Sequence, residues 1–245
     1  MKDLILVTGA SGGIGAATVK LLAQQGYCVV VHYHQHPERA QQLIDSLPGH
    51  DLIAIRADLS LESDIDSLFQ HIDGYGRLTG LVNNAGIIGR IGPFQNINAE
   101  RVNRILAINV TATLLCAREA VKRMSSFSGG KGGVIVNVSS AASRLGSPNE
   151  YIDYAASKGA VDTFTVGLAK EVGEQGIRVN AVRPGLIETE MHSLAGMPDR
   201  VESHKKTIPL GRGGTAQEVA QTIAWLLSDS ASYVTGALID VNGGR

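Results

Sequence analysis

Residues 4–15 read LILVTGASGGIG, and this stretch predicts how the chain begins to fold. LILVT is a short apolar run, which indicates a buried strand. Gly9, Gly13 and Gly15 follow, and the next run, AATVKLLAQQG, spaces its apolar residues as a helix does. A glycine-rich turn between a strand and a helix lets the backbone approach a pyrophosphate, and the helix N-terminus offers free N–H groups. Although its G-x-x-x-G-x-G spacing differs from G-x-G-x-x-G, the stretch predicts a dinucleotide site rather than a plain structural turn.

Strand and helix patterns alternate from this turn to the end of the chain, and no linker or low-complexity tract divides them. Such alternation predicts βαβ units and a parallel sheet covered on both faces. Thr215 and Glu218 predict a capping box before the last helix. We therefore expect one α/β domain over residues 1–245. The strand candidates are 4–8, 28–33, 51–56, 79–83, 133–138, 178–182 and 237–241, and the helical candidates are 14–25, 37–47, 61–73, 99–125, 154–174 and 215–228.

The charge pattern excludes two classes of partner. The formal net charge is −1, and acidic and basic residues are interspersed. A nucleic-acid-binding or membrane-surface protein would show a basic face, so neither partner is expected. The N-terminus does not resemble a signal peptide, and no later run is long enough to span a bilayer. Cys28 and Cys116 lie in apolar runs and are expected to be buried free thiols. These features predict a cytoplasmic protein.

The run YAASK places Tyr154 and Lys158 four residues apart, on one face of a helix. An ammonium beside a phenol favours the phenolate, so the pKa of Tyr154 is expected to fall from about 10. A phenol with such a pKa can act as a general acid or base. The strand-like run GVIVNVSS ends at Ser140, whose hydroxyl can donate a hydrogen bond to a substrate oxygen. Together these groups predict proton transfer at an oxygen whose carbon exchanges a hydride.

These motifs, in this order, resemble the short-chain dehydrogenase/reductase family from residue 4 to about 244. TGASGGIG at 8–15 is similar to its cofactor turn, NNAG at 83–86 to its central-strand motif and RPGLIETEM at 183–191 to its nicotinamide-side segment. The stretch SRLGSPNEYIDYAASKGA is similar to bacterial glucose 1-dehydrogenase-like and uncharacterised members. The resemblance implies a Rossmann fold with a doubly wound, seven-stranded parallel sheet. It also implies a catalytic tetrad formed by Asn109, Ser140, Tyr154 and Lys158.

The resemblance further implies which residues contact the cofactor. Asp58 would lie against the adenine, although it could simply start the following helix. Asn109 would distort its helix and hold a water in a proton relay to Lys158, and a satisfied buried amide is the plainer interpretation of the same residue. The other expected cofactor contacts are Gly9, Ser11, Gly12, Gly13, Ile14, Gly15, Tyr33, His34, Leu59, Asn84, Ala85, Gly86, Tyr154, Lys158, Pro184, Gly185, Ile187 and Thr189.

The identity of the catalytic serine stays open between two neighbours. Ser139 and Ser140 are adjacent, so on a strand they point to opposite faces and only one can serve. Many family members carry the serine thirteen residues before the tyrosine, where this chain has Ala141, and Ser143 is a weaker candidate. Tyr151 is a rival to Tyr154 but has no lysine four residues on. Asp153 is expected at the surface or in a loop.

The choice of cofactor depends on the end of the second strand. An acidic residue there would bind the ribose 2′-hydroxyl of NAD and repel a 2′-phosphate, and this chain has Tyr33 instead, followed by His34, His36 and Arg39. NADP(H) is therefore favoured, with use of NAD(H) left open. The histidines have no carboxylate or cysteine partner in the pattern, so no metal site is expected.

The substrate is expected to be a small polar carbonyl compound or alcohol, enclosed by residues 141–152 and by the polar segment after Pro184. The rival hypothesis is a dinucleotide-sensing regulator that has lost turnover. Two apolar helical runs, 99–125 and 154–174, carry small residues that suit close helix contacts. With the resemblance, these runs predict a homotetramer. The small residues are Ala117, Ala120, Ala155, Ala156, Gly159, Ala160 and Gly167.

Overall fold

Seven strands form one parallel sheet in the computed structural model, which describes residues 2–245 apart from the side chains of His192 and Leu194. Met1, the first residue of the expected domain, lies outside this range. The strands are β1 (Asp3–Val7), β2 (Cys28–Tyr33), β3 (Leu52–Arg56), β4 (Arg77–Asn83), β5 (Gly133–Val138), β6 (Ile177–Pro184) and β7 (Leu238–Val241). Their order is β3-β2-β1-β4-β5-β6-β7. This doubly wound order confirms the expected fold class.

The apolar run at the N-terminus forms the centre of this sheet. Successive side chains of a strand point to opposite faces, so Leu4 and Leu6 join the core on one side while Ile5 and Val7 join the core on the other. All four side chains are buried. A strand covered on both faces has no polar side, which is why LILV shows no alternation.

Helices cover both faces of the sheet, and none of those described has the length and apolar character needed to cross a bilayer. They are α1 (Gly13–Gln24), α2 (Pro37–Asp45), α3 (Glu62–Asp73), α4 (Ala99–Leu106), α5 (Ala112–Met124), α6 (Ala142–Leu145), α7 (Ile152–Val172), α8 (Met191–Leu194), α9 (Arg200–His204) and α10 (Ala216–Leu227). Residues of α1, α2 and α10 form one core, and residues of α3, α5 and α7 form the other. The predicted capping box of Thr215 and Glu218 is confirmed at the start of α10.

The helix predicted over 99–125 is interrupted. A π-helical turn, Ala107–Thr111, separates α4 from α5 and places Asn109, which is fully buried, at its centre. A π turn adds one residue to the helical ladder and frequently marks a functional site. The polar segment after Pro184, which none of the predicted helices covers, contains the short helices α8 and α9.

The chain reverses its order across the sheet between β1 and β4, and this point positions the site. Both strands end there at their carboxyl edge, so the glycine turn after β1 and the NNAG run after β4 become neighbours. In open sheets of this type, ligands bind in the crevice outside such a switch point.

Candidate active site

A cavity of about 730 Å³ opens at the carboxyl edge of the sheet. It brings together residues from five widely separated parts of the chain: the glycine turn, the NNAG run, the end of β5, the first turns of α7 and the segment after β6. The predicted site residues that line it are Gly9, Ser11, Gly12, Gly13, Ile14, Asn84, Ala85, Gly86, Ser140, Tyr154, Lys158, Pro184, Gly185, Ile187 and Thr189.

The glycines of the turn have two roles: Gly9 and Gly15 allow close packing against Ala85 and Asn84, and Gly12 leaves open space. Gly9 has a φ of 61°, and a Cβ there would lie 2.8 Å from the Cα of Ala85. A Cβ at Gly15 would lie 2.5 Å from the side-chain nitrogen of Asn84, so Gly15 lets α1 pack behind the cavity. Gly12 is different, because a Cβ there would meet nothing within 4 Å. Gly12 is also the N-cap of α1, and no described side chain caps this helix. The open cradle and free N–H groups fit the pyrophosphate of a dinucleotide.

Two side chains hold the glycine turn from behind. Asn84 donates to the backbone oxygens of Thr8 and Gly9, both at 2.9 Å. His32, in β2, accepts the N–H of Gly9 on Nδ1 at 3.0 Å, and its Nε2 lies 3.1 Å from the oxygen of Ala57. This arrangement requires the tautomer with its proton on Nε2, which donates to Ala57. Burial lowers the pKa of His32 to about 4, so the ring stays neutral near pH 7.

Tyr154 and Lys158 are both buried on the face of α7 that lines the cavity. Lys158 donates from Nζ to the oxygen of Val138 at 2.7 Å, and the Nζ lies 5.7 Å from the centre of the Tyr154 ring. Burial lowers the pKa of Lys158 to about 8, against the opposing charge of Asp162 four residues on. The lysine is therefore mostly charged at neutral pH.

The expected fall in the pKa of Tyr154 is wrong for the protein on its own. Burial raises this pKa, a hydrogen bond with Ser140 opposes the rise, and the nearby Tyr151 adds to it. Removing a phenolate from water is unfavourable, and the Lys158 ammonium is committed to a backbone oxygen instead of the phenol. Tyr154 therefore holds its proton at neutral pH.

The two candidate serines follow the end of β5 instead of lying on it, and they differ in their contacts. Ser139 is buried, and its Oγ donates to the backbone oxygen of Lys158 at 3.2 Å. Ser140 accepts the N–H of Ala142 on Oγ at 3.1 Å, and its hydroxyl opposes the rise in the pKa of Tyr154. Both serines line the cavity. Ser143 donates to the backbone oxygen of Ser140 at 2.8 Å. The geometry thus favours Ser140 as the hydroxyl that faces a substrate oxygen.

Asn109 lies behind the cavity wall rather than in it. Its Oδ1 accepts the N–H of Ile87 at 2.8 Å, and its Nδ2 donates to the oxygen of Ile87 at 2.9 Å and to Ser157 Oγ at 3.1 Å. The side chain is thus a satisfied buried amide, and it sits in a distorted helix as well. A Cβ on Gly86 would lie 3.4 Å from Asn109 Oδ1 and 3.5 Å from Lys158 Nζ, so these groups are close neighbours.

The expected adenosine-side contacts are only partly brought together. Gly15, Tyr33, His34, Asp58 and Leu59 are not among the residues that line the cavity. The side chain of Asp58 is engaged locally, because it accepts the N–H and hydroxyl of Ser60 and lies 3.4 Å from His34.

His36 and Arg39 line the cavity in their place. Arg39 pairs with Glu190 at 2.6 Å, and Glu190 also lines the cavity. In the sequence these two basic residues stand out only because they follow Tyr33. The signal that could have found Arg39 is its position in the first turn of a helix that begins beside the cofactor strand.

The substrate end of the cavity contains side chains that the sequence did not single out. Glu150 and Arg200 line it together with Tyr151, which had been weighed only as a rival to Tyr154. Asp153, expected at the surface, is buried in the first turn of α7 and paired with Arg101 at 2.7 Å. The expectation failed because a distant arginine satisfies the carboxylate, and because an acidic residue is favourable at a helix N-terminus.

Comparisons with known proteins agree with this geometry. A family model described as enoyl-(acyl carrier protein) reductase matches residues 9–245. The chain is 56% identical over 245 residues to the uncharacterized oxidoreductase YgfF of Escherichia coli, covering 99% of both. It is 35% identical to glucose 1-dehydrogenase 2 of Bacillus subtilis, covering 99% of this chain and 96% of the relative. A solved short-chain dehydrogenase/reductase mutant from Serratia marcescens superposes with a TM-score of 0.89 at 31% identity, covering 99% and 97% of the two chains.

The fold and site define an oxidoreductase that acts on CH–OH or C=O groups. More specifically, the chain belongs to the short-chain dehydrogenase/reductase family.

Proposed function

We propose that this protein transfers a hydride between the nicotinamide of NADP(H) or NAD(H) and a small polar carbonyl compound or alcohol, with Tyr154 as general acid and base. One observation carries the proposal. A buried tyrosine and lysine share one wall of a cavity with the open N-terminus of a glycine-led helix. The cofactor, when bound, supplies or accepts the hydride. The chain's own residues handle the proton and the developing charge.

Each residue of the tetrad has a proposed role. Tyr154 donates its proton to the carbonyl oxygen, and its raised pKa means that the proton is present at neutral pH. Ser140 donates a hydrogen bond to the same oxygen as negative charge develops there. Lys158 holds the nicotinamide ribose and supplies positive charge close to the phenol. Asn109 holds the backbone of Ile87 through its side-chain amide. From its place in the π turn, it is also proposed to begin the proton relay to Lys158.

We further propose that NADP(H) is the preferred cofactor. No carboxylate occupies the end of β2, and the guanidinium of Arg39 and the ring of His36 line the cavity nearby. A guanidinium suits a 2′-phosphate because it can form two parallel hydrogen bonds with it. The adenosine is proposed to lie beside Tyr33, His34, Asp58 and Leu59, which do not line the cavity. Gly15 is proposed to support the glycine turn.

The experiment that tests the proposed activity combines binding with turnover. NADPH fluorescence titration measures cofactor binding, and NADPH oxidation is then followed against a panel of aldehydes, ketones and sugars. Tyr154→Phe removes the proton donor and keeps the ring, so turnover is expected to fall by about 10²–10⁴-fold with cofactor affinity nearly unchanged. Tyr233→Phe, at a fully exposed tyrosine, is the matched control. Near-normal turnover in Tyr154→Phe would exclude the proposed role, whereas binding without turnover in the unmodified protein would favour a dinucleotide sensor.

We also propose that the chain acts as one domain within a cytoplasmic homotetramer. Two buried free thiols fit a reducing compartment. Three of the small residues expected at the helix contacts, Ala117, Ala120 and Ala155, are buried inside the subunit and are not available to a partner. The outer face of α7 still supports it, since this face is uncharged over four turns and carries exposed small side chains. Light scattering coupled to size exclusion tests the assembly, and a monomer mass at micromolar concentration would rule it out. The exposed residues on this uncharged outer face of α7 are Ile152, Ala156, Ala160, Thr163 and Gly167.

A further inference from the structure

A buried polar cluster forms part of the cavity wall on the substrate side. It consists of Glu150 and Tyr151, just before α7, and Arg200, the first residue of α9. All three line the cavity, and only 6% of Arg200 is exposed. The proposed roles of the tetrad make no use of this cluster.

The charges within the cluster cancel. Arg200 donates from its two terminal nitrogens to the two carboxylate oxygens of Glu150, at 2.9 and 2.6 Å. This bidentate geometry is the strongest form of an arginine–carboxylate pair. The positive charge of the guanidinium is therefore balanced by the carboxylate of Glu150. His204, the other basic group near Glu150, lies 4.0 Å from it. The charge of Arg200 is therefore already compensated by Glu150 within this cluster.

Tyr151 retains an unused capacity to donate. Its hydroxyl oxygen accepts a hydrogen bond from Arg200 at 2.7 Å, and the guanidinium also lies 4.8 Å from the centre of the ring. Among the side chains that the structure describes, the acceptor for the hydroxyl proton is the sulfur of Met197, at 3.9 Å. A thioether is a weak acceptor, and a hydroxyl that accepts from a charged donor becomes a better donor itself. Burial raises the pKa of Tyr151, so this proton is present at neutral pH.

The position of Tyr151 directs this capacity toward the reacting carbonyl. Tyr151 immediately precedes α7, three residues before Tyr154, and both rings belong to one buried cluster that also contains Ala195. The two tyrosines also interact electrostatically, since Tyr151 contributes to the pKa of Tyr154. Both tyrosines line the cavity, so a substrate bound beside Tyr154 lies in the same part of the cavity as Tyr151.

We infer that Tyr151, held by the Arg200–Glu150 pair, is a specificity-determining donor that selects carbonyl substrates bearing a second, uncharged oxygen next to the reacting carbonyl. Neutral α-dicarbonyl compounds and α-hydroxy ketones have this chemistry. The inference rests on the proposed function, because it concerns the substrate of the same site.

Three substrates of similar size separate the alternatives: butane-2,3-dione has a neutral second oxygen, butan-2-one has none, and 2-oxobutanoate has a charged carboxylate. A dione is inherently more reactive than a ketone, so the decisive quantity is the effect of Tyr151→Phe on each kcat/KM. We expect a fall of about tenfold or more with the dione and a change within about twofold with butan-2-one, because only the dione loses a hydrogen bond. Tyr233→Phe is expected to change neither value, and matching thermal melts of the variants check folding.

The remaining outcomes oppose the inference. An equal fall with dione and ketone would make Tyr151 a structural residue, and a selective loss with 2-oxobutanoate would show that Tyr151 serves an anionic substrate instead. Failure of the unmodified protein to reduce any of the three would also overturn it. The proposed function fails separately, if no member of the wider carbonyl panel is reduced with either cofactor.

Discussion

The two ends of the cavity are built in different ways. At the cofactor end, the turn between β1 and α1 is held by uncharged hydrogen bonds from Asn84 and His32, both at or near strand ends. At the substrate end, the short helices α8 and α9 lie in a segment attached through ion pairs, Arg200 with Glu150 and Arg39 with Glu190. The cofactor end is thus built from the strand ends of the sheet, whereas the substrate end is covered by a segment that ion pairs connect to the rest of the protein.

The difference teaches where the site is preorganised and where it can vary. Bonds between strand ends cannot be changed without disturbing the sheet, so the cofactor end is fixed before any ligand binds. Ion pairs between distant segments can be exchanged one at a time. The family relatives fit this division, since proteins of similar fold carry names as different as glucose 1-dehydrogenase and 3-oxoacyl-[acyl-carrier-protein] reductase.

The largest effect on this comparison is expected at the adjacent serines, Ser139 and Ser140. Ser140→Ala removes the hydroxyl that bonds Tyr154, and kcat should fall by about 10²-fold with cofactor affinity unchanged. Ser139→Ala removes a bond to the backbone of α7, which should lower the free energy of unfolding by about 1 kcal/mol and alter kcat little. Steady-state kinetics and urea unfolding of both variants check the contrast. A larger loss of kcat at Ser139 would reverse the assignment.

The cofactor end contains a buried histidine that makes the stability of the fold sensitive to acid. The pKa of His32 is about 4 in the folded protein and about 6.5 in the unfolded chain, so only the unfolded chain gains a proton between these values. Stability from this residue is complete above pH 6.5 and is lost as the pH falls to 4, by about 3 kcal/mol.

His32→Asn retains an acceptor near Gly9 but cannot titrate. Its unfolding free energy should therefore decline less between pH 7 and 4.5 than that of the unmodified protein, as urea titrations at both values would show. Other acidic and basic groups are shared by the two proteins and cancel in the difference. Equal declines would mean that His32 does not control this sensitivity.

The smallest expected effect concerns Arg39. This residue lines the cofactor end of the cavity and pairs with Glu190 of the segment that covers the substrate end. Arg39→Ala removes a cavity-lining guanidinium, and the Kd of NADPH should rise by about tenfold while that of NADH changes little. Arg104→Ala, at an exposed arginine of α4, serves as the control. Tyr33→Asp should act in the same direction by repelling a 2′-phosphate. Equal weakening of both cofactors by Arg39→Ala would assign Arg39 only to its pair with Glu190.

The sequence predicted the elements of the fold around the glycine turn, but it did not predict which residues line the adenosine side or form the ion pairs of the substrate end. The glycine turn, the seven strands and the Thr215 capping box follow local rules of spacing and conformation, so a single sequence contains them. The pairs of Arg200 with Glu150 and of Arg101 with Asp153 join residues 50 and 52 positions apart, and no local pattern reveals such partners. The direction of the Tyr154 pKa was missed for a related reason. Helical spacing places Lys158 nearby, but burial and the bond to Val138 determine its effect.

The π turn around Asn109 also affects how the protein tolerates insertions and deletions. One residue advances an α-helix by about 100°, so the extra residue lets α5 keep its apolar side on the sheet while Asn109 points toward Ile87. Deleting any one residue between 107 and 111 would restore regular helical pitch and rotate one of the two flanking helices out of phase. A single-codon deletion there should thus be far more damaging than one in an exposed loop such as residues 128–131.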